Sequence, residues 1–284
     1  MDDPQSLLLC TDMDRTVIPN GVQPESAKAR SHLAPLGNDP RVTLVYVTGR
    51  HRQLVEKAIQ IYKLPTPNYV ITDVGTRIYQ IDKGEWLPFT AWEDEIQQEW
   101  GEWNHLQLRE LLRDLNDLQL QETSKQNTHK LSYYISLYVP RESLFATVQQ
   151  RLTERGVAAS LTYSVDEPRG VGLLDILPKS ATKLHAIEFL REHLRLRLSN
   201  VVFAGDSGND LPVMASNIPS VLVANAADEI KQSALQQAQV QGNQQALYLA
   251  QSGWRGMNGN YSAGLLEGVC HFRPEFQTLI EEIK

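Results

Sequence analysis

The stretch Leu7-Leu8-Leu9-Cys10-Thr11-Asp12-Met13-Asp14-Arg15-Thr16 carries an apolar run straight into two carboxylates two residues apart. Four consecutive apolar residues read as a buried strand. A strand places residues i and i+2 on one side, so Asp12 and Asp14 look into one pocket while Met13 faces packing. Burying like charges together is unfavourable unless a cation or a reaction requires it. Such a pair can hold a divalent cation, divide acid and nucleophile roles, or do both.

Outward from this stretch, strand and helix alternate. Ser6–Thr11, Val42–Val47 and Tyr69–Thr72 read as strands, separated by helices at Pro24–Leu36 and His51–Lys63. Such alternation argues a parallel sheet with right-handed crossovers. The texture changes after Tyr79. Trp86–Gln121 reads as one or two long amphipathic helices, with Trp92, Trp100 and Trp103 packing their apolar face against a sheet. Lys130–Val139 alternates as a half-buried strand, Arg141–Glu154 is a helix, and Val157–Ser164 and Gly172–Leu177 supply further strands. Alternation then resumes with a helix at Ala181–Leu194, strands at Val201–Ala204 and Ser220–Ala224, and helices at Asp210–Ser216, Ala227–Gln237 and Tyr261–His271. Gln239–Asn260 reads as a loop. The expected architecture is an α/β, Rossmann-like parallel-sheet core from residues 1–82 and 166–284, with a smaller α+β cap inserted at 83–165.

Composition bounds the function classes. The 284 residues include 42% apolar and 21% charged side chains, enough to bury a substantial core. The net charge is −7 and no Lys/Arg block stands out, which disfavours a nucleic-acid partner. No apolar run approaches the roughly 20 residues of a membrane helix. The chain opens Met1-Asp2-Asp3, acidic where a secretory signal is basic. Cys10 and Cys270 are too few for a disulfide framework and read as reduced thiols in packed positions. A cytoplasmic monomer is expected.

Three more pieces fall at strand ends or helix starts of the alternating regions, where open parallel sheets bind ligands. Thr48-Gly49-Arg50 follows Val42–Val47, and a hydroxyl with backbone N–H groups at a helix start suits an anionic oxygen. Lys183 opens a helix, where a cation opposes the helix dipole unless an anion is near; Lys179 is the rival cation. Gly205-Asp206-Ser207-Gly208-Asn209-Asp210 follows Val201–Ala204, and its carboxylates and amide are the hard oxygen ligands that Mg²⁺ accepts. Together these residues suit phosphoryl transfer, which needs charge neutralisation and positioning more than elaborate covalent chemistry.

In this order the pieces resemble the haloacid dehalogenase superfamily of phosphohydrolases. Within it the chain is most similar to sucrose-phosphate phosphatases, through Thr72-Asp73-Val74-Gly75-Thr76, Gln126, His129-Lys130-Leu131-Ser132-Tyr133-Tyr134, Leu174-Asp175-Ile176-Leu177-Pro178 and Gly205–Asp210. The resemblance implies that Asp12 attacks phosphorus to form an aspartyl-phosphate. Asp14 would protonate the leaving oxygen and later deprotonate the hydrolytic water. Mg²⁺ would lie on the Asp12 carboxylate, the Asp14 main-chain carbonyl and Asp206, with Asp210 close behind. Thr48, Gly49, Lys183 and Asn209 would hold the phosphoryl oxygens, and Gln126, Asn127 and Lys130 would grip the sugar.

The implied reaction is Mg²⁺-dependent hydrolysis of a sugar phosphate, sucrose 6-phosphate first, with a sucrose-phosphate synthase-like glycosyltransferase as a partner. Mannosylfructose phosphate and glucosylglycerol phosphate are the rival substrates. A non-catalytic sugar-phosphate-binding protein is the rival function. Three departures stand out: Arg15 where the superfamily generally has Gly and these phosphatases Asn, Leu184 where Gly usually follows the lysine, and Asp73 as an extra acid.

Overall fold

The computed structural model describes residues 5–166 and 168–281. Two compact units emerge: Met1–Pro88 with Lys183–Lys284, and Phe89–Thr182. In the first unit, β1 (Leu7–Thr11), β2 (Val42–Val47) and β3 (Tyr69–Thr72) run parallel, joined by α1 (Ala29–Gly37) and α2 (Arg52–Tyr62). A hairpin of β4 (Arg77–Asp82) and β5 (Glu85–Pro88) then closes one sheet edge in antiparallel fashion.

The inserted unit carries α3 (Thr90–Trp100), α4 (His105–Leu111), β6 (Gln119–Leu120), β7 (Leu131–Ser136), α5 (Arg141–Glu154), β8 (Ala159–Asp166) and β9 (Val171–Pro178). Its four strands form one sheet in the order β6-β7-β9-β8. The chain returns to the first unit through α6 (Lys183–His193), β10 (Val201–Gly205), α7 (Leu211–Met214), β11 (Ser220–Leu222), α8 (Asp228–Gln241), β12 (Leu247–Leu249) and α9 (Ser262–Phe272).

The large sheet reads β12-β11-β10-β1-β2-β3-β4-β5. β1 is therefore central, with β2 on one side and β10 on the other, both parallel to it. Strand order reverses there, and this is where a parallel sheet opens a crevice at its C-terminal edge. All five residues of β1 are buried, as a strand covered on both faces must be. Leu7 and Leu9 pack with Leu33 and Leu36 of α1 and with Leu265 and Val269 of α9.

The expected core strands are present, and four expectations are corrected. First, the cap boundaries move from 83 and 165 to Phe89 and Thr182. β5 pairs with β4 on the large sheet, and β9 pairs with both β7 and β8, so hydrogen bonding assigns each to its unit. Second, α1 begins at Ala29 rather than Pro24. The side chains of Asn258, Asn260 and Tyr261 donate to the carbonyls of Pro24 and Gln23, which holds this approach out of the helix.

Third, Trp86–Gln121 is interrupted: Trp86 lies in β5, Gly101 ends α3 at φ 60, and Asn104 starts α4 with a capping box. Trp92 and Trp100 are fully buried as expected. Fourth, the expected loop Gln239–Asn260 contains the end of α8 and the edge strand β12, which pairs parallel with β11. Three residues inside a polar run leave too short a periodic signal to be read as a strand. Among the described residues no helix is long and apolar enough to cross a membrane.

α9 lies directly on β11 because Gly268 has no side chain; a Cβ there would come 2.2 Å from Cγ2 of Val221. Gly268→Ala is therefore expected to force the helix off the sheet and cost about 1–3 kcal/mol. Urea unfolding measures this, and an unchanged midpoint would mean that α9 retreats without penalty.

Candidate active site

Three strands deliver side chains to one edge. Asp12 follows β1, and its N–H donates to Ala204 O at 2.8 Å, so the ladder holds the nucleophile candidate's backbone. Met13 is fully buried, as the alternation required. Its carbonyl accepts from the N–H groups of Thr16, Val17 and Ile18, which turns the chain sharply. Arg15, inside this turn, has φ 59, a conformation costing a non-glycine residue roughly 1–2 kcal/mol.

Thr48 follows β2 and is 1% exposed. Its Oγ1 accepts from Arg50 N–H at 3.2 Å. Asp206 follows β10, and Asp210 folds back beneath the same loop. Asp210 Oδ2 accepts from the N–H groups of Asp206 and Ser207 and from Ser207 Oγ, at 3.1, 3.0 and 2.9 Å. Gly205 makes this possible, since a Cβ there would sit 2.6 Å from Asp210 Cγ.

Lys183, at the first turn of α6, is 4% exposed and joins the two ends of the site. Its Nζ donates to Asp12 Oδ1 and to Asp210 Oδ1, each at 2.7 Å. Lys179 belongs to the other unit, exposed on the surface, with its N–H on Ala158 O. A crevice of about 490 Å³ is lined by Asp12, Asp14, Thr48, Gly49, Asp206 and Asn209, and by Arg15 and Arg50.

The acids divide by environment. Burial pushes the Asp12 carboxyl up to about 7 against the pull of Lys183, with Asp210 and Asp206 adding to the rise. Burial and the Asp210 charge push Asp206 up to about 6, opposed by Arg15 and Lys183. For Asp14, burial is outweighed by Arg50 and Asn20, so its carboxyl lies below the usual range. Arg50 grips it with Nε at 2.7 Å and Nη2 at 2.5 Å, and Asn20 Nδ2 donates at 2.7 Å. Burial disfavours the charge on Lys183, yet Asp12 and Asp210 raise its affinity for the proton.

Oxygens of Asp12, Asp206 and Asp210 lie within 4.8 Å of one another. Burial first, and then mutual repulsion, drive two of these acids toward protonation. A hard divalent cation suits this donor set. The residues fit a metal.

The core candidates are thus brought together, Asn209 lying exposed at the rim with its Oδ1 accepting from Ser207 Oγ. Gln126, Asn127 and Lys130 cluster instead in the inserted unit. The Gln126 carboxamide is committed to the carbonyls of Gln121 and Ser132, to Ser132 N–H and to His105. Asn127 Oδ1 accepts from His129 N–H, and buried Lys130 lies 3.6 Å from Asp175. Asp73 is a turn residue at φ 53, accepting from Thr72 Oγ1. Sequence reading gave no role to Arg50, Asn20 or Asn225. Arg50 stood inside the Thr48-Gly49-Arg50 piece and was findable; the two asparagines carried no local signal.

The profile of the sucrose-6F-phosphate phosphohydrolase family matches residues 5–273. A protein of Nitrosococcus oceani, provisionally described as a HAD-like hydrolase, is 50% identical over 98% of this chain and 74% of its own. The mannosylfructose-phosphate phosphatase of Agrobacterium fabrum is 29% identical over 78% of this chain and 85% of its own. Plant sucrose-phosphatases match as well, and the chain spans about half their length. Among solved structures, the sucrose-phosphatase of Synechocystis sp. PCC6803, in complex with sucrose and phosphate, superposes with a TM-score of 0.69 at 26% identity, covering 94% of this chain and 98% of that one.

Removing one partner of a buried ion pair leaves an uncompensated charge. Lys183→Met is expected to destabilise the fold by about 3–5 kcal/mol, with Asp12→Asn in the same chain recovering part of the loss. Thermal unfolding of the single and double variants checks this. Equal stability of Lys183→Met and wild type would mean that the acids are not buried against the lysine.

Proposed function

Because the chain belongs to the sucrose-6F-phosphate phosphohydrolase family of haloacid dehalogenase-type phosphatases, we propose that it is a Mg²⁺-dependent phosphatase of a sugar phosphate, sucrose 6-phosphate first. The observation that carries this reading is the buried Asp12–Lys183–Asp210 group at a crevice that Asp12 lines together with Thr48 and Asp206.

Lys183 holds Asp12 by Oδ1, leaving Oδ2 to attack phosphorus while the bond from phosphorus to the sugar oxygen breaks. Asp14 gives a proton to that leaving oxygen. It then takes one from water, which attacks the aspartyl-phosphate and releases Asp12 and phosphate. The grip of Arg50 favours the ionised form of Asp14, which suits the second step; protonation for the first requires that grip to loosen. Thr48, Gly49 and Lys183 orient the phosphoryl oxygens. Mg²⁺ on Asp12, Asp206, Asp210 and the Asp14 carbonyl would neutralise developing phosphoryl charge.

For the sugar we assign Lys130 and Asn127, with Gln126 acting through the strand geometry its amide maintains. Mannosylfructose phosphate is the second substrate reading, favoured by the Agrobacterium relative.

A panel of sucrose 6-phosphate, mannosylfructose phosphate, glucosylglycerol phosphate and monosaccharide phosphates with Mg²⁺ tests the assignment through released phosphate. Sucrose 6-phosphate is expected to give the highest kcat/KM, and equal turnover across the panel would defeat it. Phosphate release from none of them would instead favour a sugar-phosphate-binding protein. Asp12→Asn is expected to lower kcat by at least about a thousandfold while retaining ligand binding. Lys130→Met is expected to raise KM for the sugar phosphate and to leave hydrolysis of p-nitrophenyl phosphate nearly unchanged.

A further inference from the structure

Arg15 occupies a backbone position suited to Gly or Asn, residues at ease at its φ of 59. Its side chain and backbone are both fixed. Nε donates to Asp206 Oδ2 at 3.0 Å, and Nη2 donates to Asn225 O at 3.2 Å. The Arg15 carbonyl accepts from Asn225 Nδ2 at 2.7 Å, and its N–H donates to Asn20 Oδ1 at 2.9 Å. Asn225 is itself buried and accepts from Tyr261 N–H. The guanidinium therefore stands in the crevice wall beside the acidic triad, held by two partners although its side chain is 43% exposed.

Its charge alters what the triad can do. In the ionised form that a cation would bind, Asp12, Asp206 and Asp210 bring three negative charges, and Lys183 answers one of them. A divalent cation would balance the remaining two. With Arg15 ion-paired to Asp206, one of those two is already answered, and one Asp206 oxygen is engaged. A doubly charged cation entering alone then leaves the site with excess positive charge. A phosphate dianion arriving in the same crevice removes that excess.

We propose that Arg15 is an internal competitor for the cation site, weakening binding of a divalent cation alone and coupling it to arrival of the phosphate group. By reciprocity the cation strengthens phosphate binding by the same factor. An uncharged residue at position 15 leaves the triad free to take the cation first. Arg15 is then a positioning residue that sets the order of assembly, acting through Asp206. The inference rests on the divalent-cation reading of the triad and not on the sugar.

Calorimetric titration of the full chain with Mn²⁺, with and without inorganic phosphate, tests it without any turnover. Wild type is expected to bind Mn²⁺ weakly alone and roughly tenfold more tightly with phosphate present. Arg15→Asn is expected to bind Mn²⁺ alone about tenfold more tightly than wild type and to lose most of the phosphate effect. Arg15→Lys keeps the charge and is expected to stay within about threefold of wild type. Arg15→Gln, of similar length, repeats the neutral test should Asn perturb the turn. Unchanged or weaker Mn²⁺ binding in both neutral variants would overturn competition and make Arg15 an orienting ligand of Asp206. Absence of Mn²⁺ binding in every chain, with phosphate or without, would overturn the cation site itself. Failure of sugar-phosphate hydrolysis with Mn²⁺ binding intact would fall on the proposed reaction alone.

Discussion

The Lys183 ammonium is wedged between two buried carboxylates, Asp12 behind the central strand and Asp210 beneath the loop after β10. Each of these charges alone would be strongly unfavourable in so dry a place, and the pairing makes all three tolerable. Because the lysine comes from α6, it ties the N-terminal third of the core to the segment returning after the insertion. The other features of the crevice depend on this knot. Asp210 can organise the Asp206 loop only because its second oxygen is neutralised, and Asp12 can remain buried beside two further acids only because Lys183 answers it.

Around that knot, two carboxylates two residues apart in sequence take up opposite electrostatic characters. Asp12 is desolvated among acids and driven upward. Asp14 lies nearer the surface in the grip of Arg50 and Asn20 and is held low. Environments that separate the proton affinities of neighbouring acids are a means of assigning distinct roles to chemically identical groups. The backbone contributes as well: alternation sends Met13 into the core and lets both acids border one crevice.

The inserted unit is a different kind of object. It has its own apolar core, with Trp100, Leu108, Leu131 and Leu174 among its members. It also has its own polar cluster, where Ser132 and Asp175 lie directly opposite on β7 and β9 and hydrogen-bond at 2.5 Å. An element with a separate core can change its polar surface without disturbing the catalytic strands.

The local residue pattern by itself determined the parallel core, the strand ends bearing Asp12, Thr48 and Asp206, and the choice of these residue types for phosphate chemistry. Buried strands, glycines at tight turns and paired acids each leave a signature within about ten residues. What only the tertiary structure decided lies between segments distant in sequence. The sequence groups Gly172–Leu177 with the inserted module, but its place between β7 and β8 is set by pairing across the folded sheet. Lys183 rather than Lys179 meets Asp12, because helix α6 begins where it does. Arg15 finds Asp206 and Asn225 roughly two hundred residues away. Ion pairs of this kind depend on proximity created by folding, and proximity across such separations has no local signal to read.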